Sequence, residues 1–239
     1  MAQERVAVIV AHPDDEVLAF GGTICRHTDN GDHVRILFLA TGLAARTPEG
    51  KVAPAELEKL RSEAMKAAEV MGVRDVEFAD FPDNRMDTVP LLDVIKKITV
   101  FVEKLDPTVI YTHHSGDLNI DHSVIARAVI TACRPVPGSR VKRIYAGEIL
   151  SSSEYSLPQH RFLPNTYVAI EPYIDRKREA LQCYSSEIRY WPHPRSIKAV
   201  ALQARMRGSE CGLEAAEALW LLRDIVAELP IKAIKSSEN

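Results

Sequence analysis

Two rhythms alternate along the first half of the chain. Short β-branched and apolar runs at 6–10, 34–39, 76–78 and 108–112 predict strands, and the run at 6–10 is apolar throughout, as a strand buried on both faces requires. Between them lie longer stretches with helical spacing at 16–28, 56–71, 90–105 and 121–133. The first of these is closed by Asn30-Gly31, and the second is opened by Pro54 and closed by Gly72. Beyond the segment Arg134-Pro135-Val136-Pro137-Gly138 the rhythm changes. Strands are expected at 143–150 and 166–170, and helices at 175–184, 195–207 and 213–228. The pattern predicts an α/β fold of Rossmann-like type: a mostly parallel sheet with helices on both faces and a C-terminal helical extension. No flexible linker divides the chain, so 1–239 reads as one domain, with core β-α repeats over 1–134 and an extension over 135–239 that walls the site.

Composition narrows the function classes. The chain has 239 residues, 46% hydrophobic and 26% charged, with a net charge of −3. That balance is ordinary for a soluble protein and gives no reason to expect nucleic acid or an anionic membrane as partner. No apolar run spans a bilayer, and Met1–Arg5 leads straight into the first strand, so a cytoplasmic protein without a membrane span is expected. The 4 cysteines, Cys25, Cys133, Cys183 and Cys211, are scattered, which argues against a cysteine zinc site. No GxGxxG, GxxxxGK or Gly-x-Ser-x-Gly run is present, which disfavours a dinucleotide-dependent dehydrogenase, a phosphate loop and a serine hydrolase.

Chemistry concentrates where two strands end. The first runs into His12-Pro13-Asp14-Asp15-Glu16, and loops past strand carboxyl ends are where open α/β sheets bind ligands. His12 and Asp15 flank a turn that can aim an imidazole and a carboxylate at one point, a zinc-type donor pair, with Asp14 left beside it. The plainer alternative is that Asp14 or Asp15 caps the following helix, with Glu16 in its first turn. The strand at 108–112 runs into His113-His114-Ser115-Gly116-Asp117-Leu118-Asn119-Ile120-Asp121-His122, unusually rich in histidine for a connector. Asp121 can cap the helix there, which sets His122 in its first turn. His113 and His114 have a plain reading too, as partly buried polar side chains satisfied by backbone.

These two motifs together resemble the zinc-dependent N-deacetylases of the PIG-L/LmbE family. Gly21-Gly22, Thr41-Gly42, Arg61 and Glu63 in the helix at 56–71, Phe81-Pro82-Asp83, Asp87, Arg207-Gly208 and Ala216-Glu217-Ala218 follow in family order. The resemblance implies that His12, Asp15 and His122 bind Zn2+, a set that also accepts other divalent transition metals, and that Asp14 is the general base. One departure matters: many members carry a second histidine where this chain has Asn119, which can donate a hydrogen bond but not act as an acid. Either Asp14 moves protons in both directions, or His113 or His114 substitutes. Asp121, Asn119 and His114 therefore join Asp14 as candidate catalytic residues.

The implied activity is removal of acetyl from an N-acetylglucosamine-type amino sugar or its conjugate. An amidase acting on a thiol-sugar or other amide conjugate is the alternative enzyme, and a non-catalytic sugar- or nucleotide-binding module is the alternative class. Asp14 discriminates, since a binding site has no need of it beside a metal. Candidate substrate contacts are Arg46 in the loop 42–51, Asp83 and Arg85 in the turn 81–87, His113, and His193 in Tyr190-Trp191-Pro192-His193-Pro194-Arg195, a sugar-stacking lid candidate. Relatives are often homo-oligomers, and nothing in the sequence fixes a stoichiometry.

Overall fold

The computed structural model describes residues 3–43 and 53–226. Strands β1 (Arg5–Val10), β2 (His33–Ala40), β3 (Asp75–Phe81), β4 (Val109–His113) and β5 (Arg143–Gly147) pair in parallel, while β7 (Ala216–Asp224) lies antiparallel between β5 and β6 (Thr166–Ala169). The sheet order is β3-β2-β1-β4-β5-β7-β6. Around it run helices α1 (Asp15–Asp29), α2 (Pro54–Val70), α3 (Leu91–Leu105), α4 (Ile120–Ala132), α5 (Ile174–Gln182) and α6 (Ile197–Ser209). Among the described residues no helix is long and apolar enough to cross a membrane.

β1 explains why its sequence is apolar at every position. Val6, Val8 and Val10 face one core with Val17, Phe20 and Ala64, whereas Ala7, Ile9 and Ala11 face the other with Ile98, Phe101 and Ile125. Side chains alternate between faces, and here both faces are covered. β1 also marks the point where strand order reverses, since β2 lies on one side of it and β4 on the other. The loops that follow β1 and β4 therefore open into one crevice.

The expected helix at 213–228 is corrected by β7, which occupies Ala216–Asp224. Ala216, Leu219 and Leu222 fit helical spacing, and Ala, Leu and Glu favour a helix locally, but pairing with β5 and β6 overrides that preference. The part beyond residue 134 thus completes the sheet with three strands, β5, β6 and β7, and its helical contribution is α5 and α6.

Glu217 on β7 is buried and fully used. Its Oε1 accepts from Gly22 N at 2.8 Å and its Oε2 from Thr23 N at 2.7 Å. Lys177 Nζ donates to the same Oε1 at 2.6 Å and to Leu18 O at 2.9 Å. A buried ion pair is tolerated when hydrogen bonds compensate both ions, and this one ties α1, α5 and β7 together. Gly22 permits the approach: a Cβ there would lie 2.6 Å from the Ile170 side chain.

Candidate metal centre and catalytic cleft

The turn after β1 is held by its own polar groups. Asp15 N donates to His12 O at 3.2 Å, and His12 N donates back to Asp15 Oδ2 at 2.8 Å. Asp14 sits at the N-cap position of α1 with φ 113°, yet its carboxylate makes no capping bond. Its backbone is kept in this unfavourable region by Glu16 Oε2, which accepts from Asp14 N at 3.1 Å, and by Val17 N and Leu18 N, which donate to Asp14 O. The capping reading of Asp14 thus fails, and its side chain is turned to another partner.

Three imidazoles surround the Asp15 carboxylate. Its Oδ2 lies 3.4 Å from His12 Nδ1, 3.3 Å from His122 Nε2 and 3.5 Å from His113 Nε2. One donor atom from each of His12, Asp15 and His122 falls within a 4.8 Å cluster, with all three residues buried. Asp15 Oδ1 and His122 Nε2 have no hydrogen-bond partner, so this cluster carries unspent donor capacity suited to a cation. On their far sides both histidines are gripped by carboxylates. His12 Nε2 lies 3.0 Å from Asp121 Oδ2 and 3.1 Å from Asp83 Oδ1, and His122 Nδ1 lies 3.0 Å from Asp117 Oδ1. Ser152 and Ser153 hydroxyls in turn donate to Asp117. Carboxylates placed so can fix which ring nitrogen carries the proton and which is free for a cation, and His12 with Asp83 and Asp121 forms a second buried cluster of possible metal donors.

Protonation follows these contacts. Burial disfavours charge on Asp15, but His122 and His12 hold its carboxyl well below the usual range. Burial likewise lowers His122, yet Asp15 and Asp117 raise it to about 9. Burial and the neighbouring His122 push His113 down to about 3, so it is a neutral ring.

Asp14 faces the cleft from the other side. Arg195 Nη1 donates to its Oδ2 at 3.0 Å and to Glu187 Oε2 at 3.0 Å, and Arg195 Nε is held by Ser151 Oγ at 2.7 Å. Burial raises the Asp14 carboxyl to about 7; Arg195 opposes this, while Asp15 and Glu187 add to it. A carboxylate near neutrality beside a cation site is suited to proton transfer. The cleft has a cavity volume of about 50 Å³ and is lined by His12, Asp14, Asp83, Asn84, Asn119, Glu187 and Arg195, among others.

Glu16 lies behind Asp14, fully buried. Tyr184 OH donates to its Oε1 at 2.5 Å, and burial pushes its carboxyl from the ordinary 4.5 up to about 8. The folded protein therefore holds a proton that the unfolded chain has lost between those values, and stability falls as pH rises through that window. Glu16→Gln mimics the protonated form. In urea unfolding of metal-free protein, the variant should match the parent near pH 5 and exceed it at pH 8, by at most on the order of 4 kcal/mol. Parallel pH profiles for the two proteins would refute this assignment.

The other sequence candidates divide. Asp83, Asn119 and Asp121 join the site. Asn119, not Asp121, caps α4: its Oδ1 accepts from Asp121 N at 2.9 Å. The Asp121 carboxylate instead accepts from Asn84 N at 2.6 Å and Met86 N at 3.0 Å, which fixes the 83–86 turn against His12. His113 does not reach the cleft as a substrate contact, because Ala11 N donates to its Nε2 at 2.7 Å and its ring stacks on His122 at 3.9 Å. His114 is drawn away towards His160 O, at 2.7 Å, and stacks on Trp220, so it does not stand in for the family histidine. Arg85 and His193 are exposed and do not line the cleft; His193 Nδ1 accepts from Arg195 N and shapes the turn that presents Arg195. Arg46 lies outside the described residues. Sequence reasoning missed Arg195 as the partner of Asp14 and Asp117 as the partner of His122. The first pair is 181 positions apart, and only the fold joins it.

The sequence pattern of the PIG-L family, described as GlcNAc-PI de-N-acetylase, matches residues 7–133. A Bacillus cereus protein described as a probable N-acetyl-alpha-D-glucosaminyl L-malate deacetylase 2 is 29% identical over 190 residues, covering 77% of this chain and 84% of its own. The 4-oxalmesaconate hydratase of Pseudomonas putida is 26% identical over 213 residues, covering 84% of this chain and 80% of its own. Among solved structures, the conserved protein TT1542 from Thermus thermophilus superimposes with a TM-score of 0.72 at 26% identity, covering 99% of this chain and 100% of that one.

Proposed function

Because the chain belongs to the PIG-L family, we propose that it is a metal-dependent hydrolase that removes the acetyl group from an N-acetylglucosamine-type amino sugar or its conjugate. The observation that carries this reading is Asp14, a buried carboxylate poised near neutrality and clamped by Arg195, in the cleft that His12 also lines. A divalent metal held by His12, Asp15 and His122, zinc foremost with iron, cobalt or nickel also compatible, would polarise the acetamide carbonyl and ease deprotonation of the attacking water. Asp14 accepts the water proton and delivers a proton to the departing amine. Both transfers fall to Asp14 because Asn119 has no acidic proton, and its amide is engaged with Asp121 N and Asn84 Oδ1. Arg195 fixes the direction of the Asp14 carboxylate, and Asp83 with Asp121 fixes the His12 ring.

The relative named as a hydratase raises a second water-adding reaction, on an anionic substrate. The lining of this cleft argues against it, since Asp14, Asp83 and Glu187 contribute carboxylates and the Arg195 guanidinium is already paired with two of them. The test is acetate release from N,N′-diacetylchitobiose by purified protein, before and after chelation and zinc return. Acetate and free amine in equal amounts, lost on chelation and restored by metal, are expected. Water addition to an unsaturated polycarboxylate without acetate release would replace this reading with the hydratase one.

A further inference from the structure

A third strand end reaches the site. β5 pairs with β4 so that Gly147 lies beside His113, which brings the loop after β5 to the same end of the sheet as the loops after β1 and β4. Three consecutive serines stand in that loop. Ser151 Oγ accepts from Arg195 Nε at 2.7 Å, and Arg195 Nη1 in turn reaches Asp14 Oδ2 at 3.0 Å. Ser152 donates to Asp117 Oδ1 and Ser153 to Asp117 Oδ2, and the same Oδ1 lies 3.0 Å from His122 Nδ1.

Neighbouring side chains on a turn diverge, so one short segment can address partners on two sides of it. Serines in a turn commonly spend their hydroxyls on nearby backbone. Here only Ser153 does so, accepting from Ile149 N at 2.7 Å, and it still reaches Asp117. Ser152 and Ser153 are both buried. Ser151 holds φ 72°, a left-handed conformation uncommon for serine, and Glu154 secures it. Glu154 Oε1 accepts from Ser151 N at 2.7 Å and its Oε2 from Ser152 N at 3.1 Å. Glu154 is exposed, and among the described residues it forms no bond to Asp14 or His122.

We propose that the turn at 151–154 positions both halves of the site at once: Ser151 sets the Arg195 guanidinium on Asp14, Ser152 and Ser153 set the Asp117 carboxylate on His122, and Glu154 holds the turn that couples them. This rests on the reading of Asp14 as proton carrier and His122 as metal ligand. The four are positioning residues, since each acts through another side chain.

Substitutions separate the two outputs. Ser151→Gly removes the hydroxyl and leaves a residue at ease with a positive φ. Its kcat for acetate release from N,N′-diacetylchitobiose should fall about tenfold, and the fall should vanish in an Arg195→Ala background. Ser152→Ala takes one donor from Asp117 and should raise the zinc Kd by about 10- to 100-fold, an effect that Ser151→Gly should not show. Glu154→Ala should move both quantities. A readout free of turnover is the Arg195 Nε–H signal in 15N NMR, identified by its loss in Arg195→Lys. In Ser151→Gly that proton should exchange with water about tenfold faster. If acetate is released but kcat, zinc Kd and Nε–H exchange are indifferent to these substitutions, the positioning role is overturned and the deacetylase reading stands. Parallel losses of kcat and zinc affinity in Ser151→Gly and Ser152→Ala, in step with lost unfolding free energy, also overturn it, since the turn would then be a structural support alone. Shifts in zinc Kd and Nε–H exchange without any acetate release from the parent sustain the turn and overturn the activity.

Discussion

Asp14→Asn should lower kcat by about 10³-fold while the protein retains its full complement of metal. Asparagine is nearly isosteric with aspartate, and its side-chain oxygen can still accept from Arg195 Nη1, which reaches Asp14 Oδ2 at 3.0 Å. It also tolerates the φ of 113° that residue 14 adopts better than most side chains do. What it cannot do is take a proton from water or pass one to a leaving amine. Because burial raises the Asp14 carboxyl to about 7, replacing it with a neutral amide also removes a desolvation cost at alkaline pH, and Arg195 keeps Glu187 as its anionic partner. Folding should therefore survive, and metal analysis beside steady-state kinetics separates the outcomes. Loss of metal in the variant would make Asp14 a ligand, and a loss of only severalfold in kcat would take the proton-transfer role from it.

The sheet was legible in the sequence wherever one rhythm dominated. The apolar run at β1 and the helical spacing of α2 and α3 predict elements that the structure contains nearly as drawn. β7 was not legible, because its preference is local and its identity is tertiary: Ala216, Glu217 and Leu219 read as a helix until β5 and β6 are present to pair with them. The site divides the same way. His12 and Asp15 stand just past the end of β1 and read as a zinc-type donor pair from the residues alone. His122, in the first turn of α4, is named as a ligand through the resemblance to the PIG-L/LmbE family. Arg195 is one arginine among many in the sequence. Its importance comes from the turn at residues 190–196 and the crevice that brings it to Asp14 and Glu187. Asp117 similarly acquires meaning only from the distance to His122 and from the two serines that hold it. The histidine-rich loop after β4 misled in the opposite direction, since His113 and His114 are equally suited to metal chemistry or to packing, and their partners, Ala11 N for His113 and His160 O with the Trp220 ring for His114, decide between these uses.

His122→Ala should abolish both metal binding and turnover. The ring it removes faces Asp15 Oδ2 at 3.3 Å on one side and Asp117 Oδ1 at 3.0 Å on the other, so two buried carboxylates lose their shared partner. Asp117, whose carboxyl His122 and the serines hold down at about 2, keeps only the hydroxyls, and breaking a buried pair in this way costs about 3–5 kcal/mol. A variant that fails for lack of stability would look like one that fails for lack of metal. The discriminating quantity is therefore the change in unfolding free energy on adding zinc. A ligand that binds only the folded state stabilises it by about 4 kcal/mol at a free concentration 1,000 times its Kd. The parent should gain roughly that much with micromolar free zinc, and the variant, however much weaker its starting point, should gain almost nothing. Equal gains in both proteins would remove His122 from the metal site, since a lost ligand must appear as a lost response to metal regardless of how the apo-protein folds.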